Sequence, residues 1–413
     1  MPVDDQIISA LTKGCVEVLP HGSLRKKLEE AEGRGRQLRI KLGVDPTAPD
    51  IHLGHTVVLT KLRQFQDAGH RAVLIIGDYT ARIGDPSGAS KTRPQLTPAE
   101  IEANARTYQE QAWKVLDQDS ARLELRRNSE WLEPLRLGDI FKLMSATTVA
   151  RMLERDDFEK RYAAGQPISM LEFLYPLLQG YDSVAINADV ELGGTDQKFN
   201  MLMGRAVQEY YGKPRQAVMT TEILPGTDGT RRMSKSTGNY IGITEPADEM
   251  YAKIMSIPDT AMITYYELIT KKTPQEIADI KRGISSGSIH PRDAKARLAF
   301  ATSGVFHGEN AAAAAERHFN EIFREKKLTA AAGLVECPLK PSDDEGGQAY
   351  LPKLLERWFG LTRSEARRRI RQGGVSIAGE QISSETIPIS KLEGATIKAG
   401  KSTKYHGLVK LAK

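Results

Sequence analysis

The chain's 413 residues, 40% hydrophobic and 27% charged, suffice for two or three cores and exclude a disordered or fibrous protein. Apolar runs such as Ala72 to Ile76 are strand-sized, so no membrane span is expected, and the acidic start from Met1 to Asp5 lacks the character of a secretory signal, so a cytoplasmic location is expected. The net charge of +5 is uneven: Tyr350 to Lys413 holds 13 Lys or Arg against 5 Asp or Glu, and the remainder 45 against 48, which fits either a polyanion-binding tail or a solvated basic surface.

In chain order, Leu38 to Val44 predicts a strand, Leu53 to Ala68 a helix and Arg71 to Ile76 a second strand, which together make a βαβ unit. Val184 to Asn187 and Ala217 to Leu224 predict strands around a helix over Asp196 to Tyr210, continuing the alternation of a parallel, doubly wound α/β sheet over residues 1–245. Ligands of such sheets bind beyond the strand C-termini. Residues 246–331 are mostly helical in pattern, including the alanine-rich stretch from Asn310 to Lys326, and predict a separate helical domain. The breaker-rich 332–348, with Pro338, Pro341 and the run from Ser342 to Gly347, predicts a linker. In 349–413, a basic helix over Leu361 to Gln372 carries Arg363, Arg367, Arg368, Arg369 and Arg371, and a hairpin is expected over Gly374 to Ile382.

Two short motifs carry chemistry. His52-Leu53-Gly54-His55 stands between the first strand and the following helix, where two histidines at i and i+3 share a face near amides and a dipole that favour a phosphate. Gly54 leaves room for close approach. A zinc pair and two exposed histidines are the alternatives, but no third ligand is suitably spaced. Cys15 and Cys337 are too far apart in sequence to suggest a disulfide framework or a zinc site and read as packed or idle thiols. Arg232-Met233-Ser234-Lys235-Ser236 lies in a Gly- and Thr-rich loop, Gly226 to Gly238, that can close over a triphosphate. Tyr175, Gln179 and Asp182, at i, i+4 and i+7, share one helix face, and a buried carboxylate there requires a partner.

Taken as a pair, HLGH and RMSKS resemble the two signatures of class I aminoacyl-tRNA synthetases. Tyr175, Gln179 and Asp182 in YPLLQGYD, Gly193 to Gln197 in GGTDQ, Gly43, Asp45 and Thr47 in LGVDPT, and Asp85 in IGDPSG resemble the tyrosine and ribose sites of the tyrosyl branch. The tail resembles a small RNA-binding module that bacterial tyrosyl enzymes carry and tryptophanyl enzymes lack. The resemblance implies a Rossmann-like catalytic domain, a helical domain on the anticodon side of tRNA and an α+β RNA-binding domain. It also implies a homodimer that binds tRNA, L-tyrosine and ATP, with Mg²⁺ accompanying ATP and no tightly bound protein metal.

The implied roles are residue-specific. His52 and His55 meet the phosphates, and Arg232 and Lys235 the leaving pyrophosphate. Gly54, Asp196, Met233, Ser234 and Ser236 contact ATP, with Asp196 on the ribose. Lys41, Gly43, Asp45, Asp85, Tyr175, Gln179, Asp182 and Gln197 form the tyrosine pocket, and Arg363, Arg367, Arg368 and Arg371 meet tRNA. Two positions depart from the common pattern: Lys41 stands where many bacterial members have Tyr, and Arg232 replaces the usual first lysine, a planar fork in place of a point charge. Lys41 can pair with a pocket carboxylate or point to solvent, and the pairing is preferred here. A tryptophanyl enzyme, a small-molecule nucleotidyltransferase and a non-catalytic RNA-binding paralogue are the rival readings. Asp182 and the tail argue against the first, the extra domains against the second, and the retained His52, His55 and Lys235 against the third.

Overall fold

The computed structural model describes residues 4–47, 50–86, 96–235, 237–270, 272–323, 335–400 and 405–411. The chain forms two compact units, Met1–Glu245 with Ile254–Leu298, and Pro246–Lys253 with Ala299–Lys413.

The first unit is built on six strands: β1 (Cys15–Leu19), β2 (Arg39–Val44), β3 (Arg71–Ile76), β4 (Leu123–Arg127), β5 (Val190–Gly194) and β6 (Ala217–Thr221). They lie in the order β1-β6-β5-β2-β3-β4, with β2 to β6 parallel and β1 antiparallel to β6 at the edge. Ala72, Val73, Leu74 and Ile75 of β3 are fully buried, as an unbroken apolar strand of a parallel sheet should be. Strand order reverses between β2 and β5, and the crevice there is where such sheets hold ligands.

Three helices frame that crevice: α1 (Leu53–Asp67), α2 (Met170–Ala185) and α3 (Lys198–Tyr210). α2 starts at Ser169, whose hydroxyl accepts from the Leu171 amide, while Glu172 reaches back to the Ser169 amide at 2.7 Å. α2 and α3 approach through glycines. A Cβ on Gly180 would sit 2.9 Å from Val207 Cγ2 and 3.3 Å from the Gly204 Cα, so a side chain at Gly180 would force the helices apart. The strand expected over Val184 to Asn187 is instead the end of α2 and the turn after it, and β5 begins at Val190. Val184 packs with Leu177, Leu178 and Val207 in one cluster, and a short apolar run cannot by itself distinguish a strand from a helix end.

The expected helical domain over 246–331 is shared between the units: the helices Asp259–Ile269 and Pro274–Ser286 lie within the first, and Glu309–Phe323 within the second. The second unit carries β7 (Val335–Leu339), β8 (Gln348–Tyr350), α4 (Leu351–Phe359), α5 (Arg363–Arg371), β9 (Ser376–Ile377), β10 (Glu380–Gln381), β11 (Thr386–Pro388), β12 (Thr396–Lys398) and β13 (His406–Leu411). The five-stranded sheet runs β10-β9-β12-β13-β7, and β11 pairs with β8. The linker expected over 332–348 therefore fails from Val335 onward. β7 pairs in parallel with β13 and buries Cys337 and Leu339 in the core with Leu354, Leu355, Ile370 and Val409. Pro338 is tolerated because β7 is an edge strand. Among the described residues no helix is long and apolar enough to cross a membrane.

Candidate active site

His52 caps α1 in extended backbone, and its amide donates to His55 Nδ1 at 3.3 Å. The two rings stack with centroids 3.8 Å apart, over Gly54, where a Cβ would come within 3.0 Å of the His52 ring. Glycine here permits the stack itself. The motif is pinned to the segment after the basic loop, with the Leu53 amide donating to the Ile241 carbonyl at 2.9 Å and Ile243 to Ile51 at 3.1 Å. Burial, then His55, Arg232 and Lys235, lowers His52 to about 2; burial, then Arg232, lowers His55 to about 4. Both rings are therefore held neutral at pH 7, a form in which an imidazole can donate one N–H. Tyr108 lines the cavity described below, and its hydroxyl, like His52 Nδ1, is buried without a hydrogen-bond partner among the described residues.

The basic loop faces the same crevice. Arg232 Nη1 lies 3.0 Å from Asp196 Oδ2, and Lys235 pairs with Asp50. Met233 is buried, and its Cβ lies 3.6 Å from the position a Gly54 Cβ would take. The loop's base is tied by Asn239, which donates to Asp228 at 2.8 Å and accepts from the Ser234 amide at 2.8 Å.

Between β2, β5 and α2 opens a cavity lined by Gly43, Asp45, His55, Asp85, Tyr175, Gln179, Asp182, Asp196, Gln197 and Arg232, all expected from the sequence. Tyr175 donates to Asp45 at 2.9 Å, Thr80 donates to the same carboxylate at 2.7 Å, and Gln197 donates to Asp85 at 2.7 Å. Burial raises Asp45 to about 7. Asp182 is buried and accepts from Trp131 Nε1 at 2.9 Å and from Asn128 Nδ2 at 3.5 Å. Burial pushes it up to about 6, with Lys41 and these two donors pulling the other way. It is thus mainly ionised at neutral pH and suited to accept from a hydroxyl.

Chain-wide likeness agrees with this chemistry. The model of the class I tRNA synthetases (W and Y) matches residues 33–324. A tyrosine-tRNA ligase of Moorella thermoacetica is 52% identical over 392 residues, 95% of this chain and 93% of that one. Another, from Carboxydothermus hydrogenoformans, is 50% identical over 97% of this chain and 98% of its own length. The chain belongs to the tyrosine-tRNA ligase family. Among solved structures, a C-terminally truncated Aspergillus nidulans mitochondrial tyrosyl-tRNA synthetase superposes with a TM-score of 0.64 at 24% identity, covering 77% of this chain and 93% of that one. An Archaeoglobus fulgidus tyrosyl-tRNA synthetase gives 0.61 at 22% identity, over 75% and 98%. At that identity these two likenesses speak to the fold alone.

Within this tyrosine-tRNA ligase family member, the expected His52, Gly54, Met233, Ser234 and Lys235 do not line the cavity, though His55 and Arg232 of the same two motifs do. Ser236 lies outside the described residues. Lys41 does not line the cavity either. It is fully buried and pairs with a pocket carboxylate as preferred, but that carboxylate is Glu191, at 2.8 Å, which the sequence reading missed. Asn128, Trp131, Thr80 and Asp50 were missed as well. Asn128 and Trp131 follow the C-terminal end of β4, where ligand-contacting loops of this sheet type lie, and Glu191 is a charge in an otherwise apolar strand. Of the tail arginines, Arg368 is exposed, and Arg363, Arg367 and Arg371 reach Glu356 or Glu385 while 57%, 46% and 71% exposed. Arg369 instead folds inward, over the Tyr405 ring at 4.2 Å.

Proposed function

We propose that the chain activates L-tyrosine with ATP to tyrosyl-adenylate and pyrophosphate, and then transfers tyrosine to the 3′ end of its tRNA. The observation that carries this reading is one cavity lined both by Asp182, Gln179 and Tyr175 and by His55, Asp196 and Arg232. A hydroxyl acceptor and a phosphate-binding set thus face a single ligand space. Tyrosine donates its phenol to Asp182 and sets its amino and carboxyl ends among Asp85, Tyr175 and Gln197. Its carboxylate attacks the α-phosphorus of ATP, which arrives as its magnesium complex and breaks its bond to pyrophosphate. His52 and His55 donate to the phosphates as neutral rings, and Asp196 holds the ribose. Arg232 and Lys235 exchange their carboxylate partners for the pyrophosphate as charge builds on it. No covalent enzyme intermediate is required, so catalysis is alignment plus electrostatics.

The terminal ribose of tRNA next attacks the activated carbonyl and AMP leaves. The tail arginines bind the tRNA backbone. A second copy covers the apolar side chains exposed in the segment 137–171, where Leu137, Phe141, Val149, Tyr162 and Met170 are each at least 60% exposed. ATP-dependent incorporation of labelled tyrosine into tRNA tests the reading. Adenylate formation with no charging of any tyrosine tRNA would remove its second half.

A further inference from the structure

A buried ion pair beside the cavity takes no step in the proposed reaction. Lys41 on β2 and Glu191 on β5 stand opposite each other in register at the switch point, with side chains 0% and 2% exposed. The Lys41 ammonium spends its three donors on Glu191 at 2.8 Å, the Gln179 carbonyl at 2.7 Å and the Ser183 hydroxyl at 2.7 Å. None is left for a ligand. Glu191 lines the cavity and accepts from the Gln179 side-chain amide at 3.1 Å and from Gln216. Because a carboxylate only accepts, the Gln179 amide nitrogen is fixed toward Glu191, which sets the direction of both its oxygen and its second N–H. A buried pair of this kind is weak evidence for stability, since burying two charges offsets much of their attraction.

We propose that Lys41 and Glu191 are positioning residues for tyrosine recognition: the ammonium balances the buried anionic acceptor Asp182, and the carboxylate aims the Gln179 amide. Discrimination of tyrosine from phenylalanine then depends on a pair of which Lys41 lies outside the cavity lining. The inference rests on the reading of Asp182 as the hydroxyl's partner. Asn128 and Trp131, after β4, donate to Asp182, and Lys41 holds the Gln179 carbonyl and the Ser183 hydroxyl on the same helix. The charged and titratable groups that act on Asp182 through space are Lys41 from β2, Glu191 from β5, Asp45 after β2 and Tyr175 on its own helix. Lys41 favours the carboxylate, and Glu191 and Asp45 oppose it.

The two members of the pair therefore act on Asp182 with opposite sign, and the test uses that. The ratio of kcat/KM for tyrosine to that for phenylalanine is measured by pyrophosphate exchange from pH 5 to 9, in the full chain. Titrations common to both substrates, such as that of Asp45, cancel in the ratio. In the parent the tyrosine preference falls as pH drops through the Asp182 midpoint, near 6. Lys41→Met moves that midpoint up, Glu191→Gln moves it down, and the double variant lies between. Glu191→Gln keeps shape and one acceptor oxygen, so it reports even where Lys41→Met does not fold. A pair serving only stability lowers the melting temperature and leaves the midpoint in place, and an unmoved midpoint in Glu191→Gln overturns the inference. If Asp182→Asn itself leaves the ratio at the parent value, it is the reading of Asp182 that fails.

Discussion

Replacing Asp182 by Asn is the sharpest probe of the pocket because it changes charge and hydrogen-bonding character with little change of shape. In the parent, one carboxylate oxygen accepts from the Trp131 indole at 2.9 Å and the other from Asn128 at 3.5 Å. Both oxygens retain lone-pair capacity for a substrate phenol. Asp182→Asn keeps its single oxygen on the indole, the shorter and stronger of the two bonds. Its NH₂ group then faces the Asn128 amide donor and the phenol, two groups that need an acceptor. The substrate hydroxyl loses a charged acceptor in a buried site. A hydrogen bond to a charged group contributes about 1.5–3 kcal/mol, and at 1.4 kcal/mol per factor of ten this is roughly 10- to 150-fold. Phenylalanine never makes the bond, so its kcat/KM changes little and the preference between the two narrows by the same factor. The assay is ATP-pyrophosphate exchange at pH 7.5 with each amino acid at sub-saturating concentration. Equal losses for tyrosine and phenylalanine would refute the reasoning, because a general loss of shape is blind to the hydroxyl.

Other outcomes follow from the remaining parts of the site. Lys235→Ala lowers the rate of adenylate formation by about 10²-fold or more while equilibrium dialysis finds tyrosine binding unchanged; weaker tyrosine binding with a normal rate would contradict its assignment to the leaving group. Replacing Arg363, Arg367, Arg368 and Arg371 together by Gln weakens tRNA binding and flattens its salt dependence, with adenylate formation intact, and an unchanged slope would take the phosphate contacts elsewhere. Arg369 is left out because its place over Tyr405 is structural. Phe141→Glu, at a side chain 60% exposed within the apolar segment, yields monomers in sedimentation from a dimeric parent. A parent already monomeric at working concentration would remove the dimer.

The parts legible in the sequence were those with strong periodicity or tight motifs. β2, α1 and β3 were anticipated to within one residue at each boundary, because an apolar strand, an amphipathic helix and another apolar strand follow in quick succession. Tyr175, Gln179 and Asp182 face one cavity because a single helix carries them at helical spacing. What stayed hidden depends on tertiary neighbours. Lys41 and Glu191 are 150 positions apart and meet only because strand order reverses between β2 and β5. Trp131 and Asn128 reach Asp182 from the short helix Ser129–Leu132 and its N-cap, which carry no motif of their own. β7 was concealed by Pro338 and a polar run after it, and only its pairing with β13 makes it a strand. Val184 to Asn187 misled because four residues carry too little pattern to separate strand from helix end.

The central claim is that the cavity at the switch point activates tyrosine, and exchange of labelled pyrophosphate into ATP tests it most directly, with the intact chain and each of the twenty amino acids in turn. The account predicts strong exchange with tyrosine, a weak response to phenylalanine and none with tryptophan. Exchange driven best by tryptophan, or by no amino acid at all, would contradict it.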